Sequence, residues 1–248
     1  MNIDSLSESQ KYYINGFLMR EFLESETLNA LRGLLIHLNS TNKLDEGFSW
    51  ESKYSNTFDL RHSAHEYNGV FMDVLFENNI PEILLSLIGP EYTLSHIQVR
   101  KSKKGPSYMP WHRDAYFIDG NLVGNTPPAH KIIFYPKILK EEPKLEIIKG
   151  SNICTYQKST ADQFVLPGCS QFDTEIMKIM DKKSYCSSDS QFLLFNSSAL
   201  HNVLPDIDDS GSIRVIYSFI TKDQYVEKYS SKNVHKNINE DYEKRLKV

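Results

Sequence analysis

Hydrophobic positions recur with a helical period in the first third of the chain and with a period of two after Tyr92. Ser7 and Gln10 have the spacing of a capping box and open a short first helix, which Gly16 ends. Phe17–Arg20 reads as a short strand. Ser25 caps a second helix, whose Leu28, Leu31, Leu34, Leu35 and Leu38 fall on one stripe. A third helix starts after Ile80, with Pro81 in its first turn and Gly89 just past its end. Its stripe is Ile83, Leu84, Leu87 and Ile88. Helices with one apolar side cover a sheet.

From Tyr92 onward the pattern predicts short strands. Tyr92–Arg100 alternates around Ile97 and Val99. Lys131–Ile138, Lys144–Ile148, Gln191–Phe195 and Ser212–Ile220 are rich in β-branched and aromatic residues. Turn chemistry separates them at Asp119-Gly120-Asn121, Pro127-Pro128, Pro167-Gly168 and Asp208-Asp209-Ser210-Gly211. Helices first and strands afterwards predict a mainly β fold, an antiparallel sandwich or barrel with helices outside it. We expect one domain over 1–248, with the helical cover in 1–90 and the strands between 92 and 220. The polar stretch 221–248 reads as a charged tail, an exposed helix at most.

Composition narrows the function classes. With 248 residues, 40% of them hydrophobic, the chain has enough apolar surface for one sizeable core. The net charge of -4 and the lack of a basic face argue against a nucleic-acid partner. Lys101, Lys103 and Lys104 form a short basic cluster, read as a solvated loop. No apolar run approaches the ~18 residues of a membrane helix. The N-terminus lacks the charged-then-apolar pattern of a signal peptide. The three cysteines Cys154, Cys169 and Cys186 are odd in number and have no C-x-x-C spacing. These features together predict a cytoplasmic protein without a disulfide framework or a membrane partner.

Three pieces carry the chemistry. In His112-Arg113-Asp114, residues i and i+2 of an extended chain share a face, so an imidazole and a carboxylate can converge on one ion. Composition gives roughly 0.5 such His-x-Asp matches by chance, so the motif carries little alone. His201 follows the strand run Leu193-Leu194-Phe195, 89 residues after His112, far enough to lie on another strand. Two histidines and a carboxylate form the facial triad of non-haem iron(II) oxygenases. Arg214 lies inside the apolar run from Ser212 to Phe219, with no acidic neighbour on that strand. Burying it is costly unless it is paired, and its planar fork suits a ligand's carboxylate as well as a distant Asp or Glu.

With these residues in place, the chain resembles the phytanoyl-CoA dioxygenase family of iron(II)/2-oxoglutarate oxygenases, from about Ser5 to Phe219. The resemblance is carried by Leu6-Ser7-Glu8-Ser9-Gln10 with Gly16-Phe17, by Ile88-Gly89-Pro90, and by Trp111-His112-Arg113-Asp114. It continues in Leu145-Glu146-Ile147-Ile148-Lys149-Gly150-Ser151-Asn152, Leu200-His201 and Arg214. It implies a double-stranded β-helix, the cupin-like jelly roll, with flanking helices. It also implies His112, Asp114 and His201 as ligands of Fe(II), Arg214 as the anchor of 2-oxoglutarate, and O2 as second cosubstrate. Gln98 and Lys131 lie in regions where the family places cosubstrate or substrate contacts. Read from composition alone, they are a polar barrel residue and a solvated amine. Tyr108, Trp111, Tyr116 and Phe117 either wall a substrate pocket or belong to the core.

The chain departs from the family pattern in three places. Asn152 replaces the histidine of Gly-Ser-His, which is not a ligand. Glu142-Pro143-Lys144 replaces an Asn-Gly turn. Arg113 fills the variable middle position and is expected to point away from the metal. Family members that halogenate have Gly or Ala where this chain has Asp114, so the resemblance implies hydroxylation or a related oxidation of a small molecule, with release of succinate and CO2. A monomer or homodimer is expected. Two other readings stay open: a metal-dependent hydrolase or isomerase on a cupin-like barrel, since His, Asp and His also hold zinc, and a silent jelly-roll binding module. A 2-oxoglutarate anchor such as Arg214 has no use in the first, and an intact ligand set has none in the second.

Overall fold

A computed structural model describes residues 5–22, 24–46, 48–51, 55–60, 64–105, 110–118, 121–123, 128–137, 143–154, 164–166, 169–186, 191–207, 211–230 and 233–247. Helix α1 (Glu8–Asn15) begins with a complete capping box between Ser7 and Gln10 and stops at Gly16, whose φ of 83° favours a residue without Cβ. Strand β1 (Phe17–Glu21) follows. The Ser25 hydroxyl caps α2 (Glu26–Ser40), which buries Leu28, Leu31, Leu35 and Leu38. A short turn, α3 (Lys43–Glu46), and two strands, β2 (Phe48–Glu51) and β3 (Ser55–Asp59), come next. Then come α4 (Ala64–Glu77) and α5 (Ile80–Ile88), the latter with Pro81 at its start.

The second part is built of strands: β4 (Tyr92–Ser102), β5 (Tyr116–Ile118), β6 (Asn121–Val123), β7 (His130–Lys137) and β8 (Pro143–Ile148). After β9 (Phe164–Leu166), β10 (Cys169–Ser170) and α6 (Gln171–Ile179) come β11 (Lys182–Cys186), β12 (Gln191–Asn196), β13 (His201–Val203) and β14 (Ser212–Thr221). The major sheet has seven strands in the order β1-β12-β7-β14-β4-β3-β2, and a smaller one has the order β11-β8-β13. Every pairing between these strands is antiparallel. This is the mainly β jelly roll with flanking helices that the sequence predicts.

Alternation sorts the major sheet into two faces. Ile132, Phe134, Phe192, Leu194, Val215, Tyr217 and Phe219 join the helices in the larger core cluster. The intervening Ile133, Tyr135, Leu193, Phe195 and Ile216 pack instead against Leu145, Ile147 and Tyr185 of the smaller sheet. The space between the two sheets is therefore the jelly-roll interior, and the helices close the other face.

The segment after residue 220 differs from the expected exposed tail. It forms α7 (Lys222–Lys228) and α8 (Asn233–Arg245). His235, Ile238, Asn239 and Tyr242, at i, i+3, i+4 and i+7, are all buried. Asn239 donates to Thr93 Oγ1 and to the Leu94 carbonyl, and His235 Nδ1 to the Ser95 carbonyl, which docks α8 along β4. The buried stripe carries two polar residues that bond to backbone, so a mean-hydropathy reading misses it. Among the described residues no helix is long and apolar enough to cross a membrane. The expected turns at 119–120, 167–168 and 208–210, and Tyr108, lie outside the described residues.

Candidate metal centre

Backbone pairing places the two histidines. His112 N–H donates to the His201 carbonyl at 2.9 Å, and His201 N–H donates to the His112 carbonyl at 3.0 Å, so the pair is in register as an antiparallel bridge. The segment carrying His112 thereby extends the edge of the smaller sheet beyond β13. Asp114 N–H donates to the Ser197 carbonyl, which fixes the same segment two residues on. The ring centroids of His112 and His201 are 4.2 Å apart. Asp114 Oδ1 is 3.7 Å from His112 Nε2, and Oδ2 is 3.7 Å from His201 Nε2. The three ligand atoms lie within 4.8 Å of one another.

Each imidazole is oriented from behind. His112 Nδ1 lies 2.7 Å from the Pro110 carbonyl and His201 Nδ1 lies 2.8 Å from the Ala199 carbonyl. A carbonyl only accepts, so the proton is on Nδ1 and Nε2 keeps its lone pair, the arrangement usual for metal-ligating histidines. Among the described residues His112 Nε2 is buried with no hydrogen-bond partner, which a bound metal would account for. Burial pushes the His201 imidazole down to about 3, the neighbouring His112 adding to the shift, so it is neutral. Burial alone would raise the Asp114 carboxyl. The Lys131 ammonium above all outweighs burial and holds it well below the usual carboxylate range.

Asp114 and His201 open on a cavity of about 70 Å³ inside the jelly roll, lined also by Gln98, Arg100, Lys131 and Arg214. Arg214 is 1% exposed, and its Nη1 donates to Ser102 Oγ. Its neighbours Val215, Tyr217 and Phe219 face the helices while Ile216 faces inward with it. The expectation for Lys131 takes a different form. Its ammonium is bound to Asp114 Oδ2 at 2.9 Å, so it is neither simply solvated nor directed at a cosubstrate alone. Gln98 lines the cavity beside the arginines.

Arg113, as expected, turns away and donates to the carbonyls of Ser151 and Ser198. Asn152 donates to the Tyr13 carbonyl at the end of α1. Trp111 packs with Ile148, Ile176 and Leu200, outside the cavity. The side chains of Tyr116 and Phe117 lie outside the described residues.

Sequence reasoning missed Arg100. It lies on the face of β4 that carries Gln98, two residues on, and the same alternation points to it. Its Nε donates to Thr57 Oγ1 at 3.0 Å. Burial lowers it to about 10, with Asp114, Tyr135 and Asp59 acting in the other direction. Thr57 and Asp59 belong to β3, whose Ser55, Asn56, Thr57 and Asp59 are all buried. So polar a segment gives no sign of being a core strand.

No known protein family matches the chain by sequence profile, and no curated protein matches it. Solved structures do match in fold. An epimerase, SnoN, in complex with Fe3+, α-ketoglutarate and nogalamycin RO, is 13% identical with a TM-score of 0.65, over 86% of this chain and 82% of that one. HygX from Streptomyces hygroscopicus, with nickel, 2-oxoglutarate and hygromycin B bound, is 12% identical with a TM-score of 0.57 over 88% of each chain. EvdMO1 is 15% identical with a TM-score of 0.61 over 87% of this chain, which spans about half (49%) of its length. At such identities the likeness is one of fold.

Proposed function

We propose that the protein is an iron(II)- and 2-oxoglutarate-dependent oxygenase of the phytanoyl-CoA dioxygenase kind, acting on a small molecule. The observation that carries this reading is one cavity lined both by Asp114 and His201 of the converging ligand set and by a buried arginine at its wall. His112, Asp114 and His201 would hold the metal, and three protein ligands on octahedral iron leave three positions open. Arg214 would take the distal carboxylate of 2-oxoglutarate in its fork. Two fold neighbours, SnoN and HygX, are described with a metal and this oxo acid bound, which supports the cofactor assignment.

When bound, iron, 2-oxoglutarate and O2 supply oxidative decarboxylation, with release of succinate and CO2, and oxidation of a substrate C–H bond. The chain's share is to bind and orient. The Pro110 and Ala199 carbonyls fix the imidazole tautomers. Lys131 keeps Asp114 ionised and holds one of its oxygens. Apolar walls from Phe195, Ile133 and Ile216 limit water in the cavity. Asp114 keeps the carboxylate that halogenating relatives lack, which favours hydroxylation. SnoN is an epimerase, so C–H cleavage that leaves no oxygen in the product is the main variant of this reading.

The test is succinate formation by iron(II)-loaded protein against a metabolite library, with and without 2-oxoglutarate. We expect succinate release that requires both iron and the oxo acid and rises with the right substrate. No binding of 2-oxoglutarate to the metal-loaded protein would overturn the reading.

A further inference from the structure

Arg100 and Arg214 are direct partners across the β4–β14 pairing. Directly opposed residues on one sheet face have Cβ atoms about 4.5–5.5 Å apart, and like charges so placed repel. Both side chains line the same cavity as Asp114 and His201. The repulsion is felt: burial, and next the Arg100 charge, pull Arg214 well below its ordinary basicity. Lys131 adds a third positive group at the cavity wall. Among the described residues, the acids that act on Arg100 are Asp114, already bonded to Lys131 and placed among the metal ligands, and Asp59, at the β3 side.

Two guanidinium groups in register inside a barrel are a site for one carboxylate with two oxygens. Resting on the reading above, we propose that Arg100 is a second anchor for 2-oxoglutarate, so that its distal carboxylate lies between Arg100 and Arg214. Thr57 holds the Arg100 Nε and Ser102 holds Arg214 Nη1, so both stems are fixed before the ligand arrives. The pair also sets specificity. An oxo acid without a distal carboxylate leaves two opposed buried charges in place, so the site selects dicarboxylates.

The experiment measures binding to nickel(II)-loaded protein, which needs no turnover. Two probes are compared, 2-oxoglutarate and 2-oxopentanoate, which has the same chain length without the distal carboxylate. Arg100→Gln should raise the Kd for 2-oxoglutarate about 10- to 100-fold. It should change the Kd for 2-oxopentanoate less than about threefold and leave nickel affinity unchanged. Arg100→Lys, which keeps the charge and loses the fork, should fall between, and it carries the test if Arg100→Gln does not fold. Equal effects on the two probes, or an unchanged Kd for 2-oxoglutarate, would overturn the proposal. Loss of binding in Arg214→Lys but not in Arg100→Gln would overturn it while leaving the oxygenase reading intact. Failure of the wild-type protein to bind 2-oxoglutarate would remove both.

Discussion

His112 and His201 exchange both of their backbone hydrogen bonds, and this register brings their rings within 4.2 Å. The ligand geometry is thus set by strand pairing at the edge of the smaller sheet rather than by free loops. Asp114 follows from the two-residue repeat of the same segment.

Asp114→Ala and His201→Ala should each lower metal affinity by at least about 100-fold, since loss of an outer-shell partner alone costs 10- to 100-fold. The fold should persist, because the backbone bonds that place these residues do not involve their side chains. Metal content after dialysis and a far-UV spectrum check both points. Full retention of metal in both variants would mean that the ion binds elsewhere.

Ile238 is fully buried where α8 lies on the sheet. Ile238→Ala removes three carbons from that contact and should destabilise the protein by about 2–5 kcal/mol, as read by denaturant unfolding. An effect below about 0.5 kcal/mol would return the segment to the status of a solvated tail.

Elements with a clean period and a cap were legible. The Ser7 and Ser25 caps, Gly16, Pro81 and Gly89 mark α1, α2 and α5 where the structure has them. Helix α4 was passed over although it has a period, with Phe71, Met72, Val74 and Leu75 buried and Glu66, Asp73 and Glu77 exposed, because Gly69 interrupts its run. Strand β3 was hidden for the opposite reason. Its buried Asn56, Thr57 and Asp59 give no apolar alternation to read, and their environment comes from β4 beside them. At the site, the residue types of the triad were visible, but the Arg100–Arg214 pairing depends on register between strands more than 100 residues apart, which no local pattern encodes.

His130 is buried at the start of β7, its Nδ1 2.6 Å from the Tyr12 hydroxyl, and burial lowers it to about 4. An unfolded histidine titrates near 6.5, so below that pH the unfolded chain binds the extra proton first. Stability should therefore be full above about pH 6.5 and decline down to about pH 4, with a loss of about 2 kcal/mol by pH 5 from this group. His201 acts in the same direction in the metal-free protein. Urea unfolding at pH 7 and pH 5 measures the total, and His130→Gln should make the dependence shallower. An identical pH dependence in the variant would show that His130 does not contribute.

Lys144 Nζ is 2.6 Å from Asp206 Oδ1, both nearly inaccessible, and Ser212 donates to the other oxygen. Breaking one side of such a pair leaves a buried charge. Lys144→Met should destabilise by about 3–5 kcal/mol, and adding Asp206→Leu should recover much of the loss. Thermal unfolding of the single and double variants checks this. A double variant less stable than Lys144→Met would mean that Asp206 is held by other contacts.

Arg214 is buried at 1% exposure, on the inward face of a strand whose Val215, Tyr217 and Phe219 pack against the helices. A guanidinium so placed is retained at a considerable desolvation cost, and it lines the cavity onto which Asp114 and His201 open. Arg214→Lys keeps the charge but replaces a planar fork with a point donor. Charge-assisted hydrogen bonds contribute roughly 1.5–3 kcal/mol each, so losing one should weaken 2-oxoglutarate binding by about 10- to 100-fold. Metal affinity should be unchanged, since Arg214 is not a ligand. Titration of 2-oxoglutarate into metal-loaded wild type and variant measures the first effect, and succinate formed without added substrate measures its consequence for turnover. If the affinity is the same in both proteins, Arg214 is a structural residue, and a metal-dependent hydrolase or isomerase on the same barrel becomes the better reading of the site.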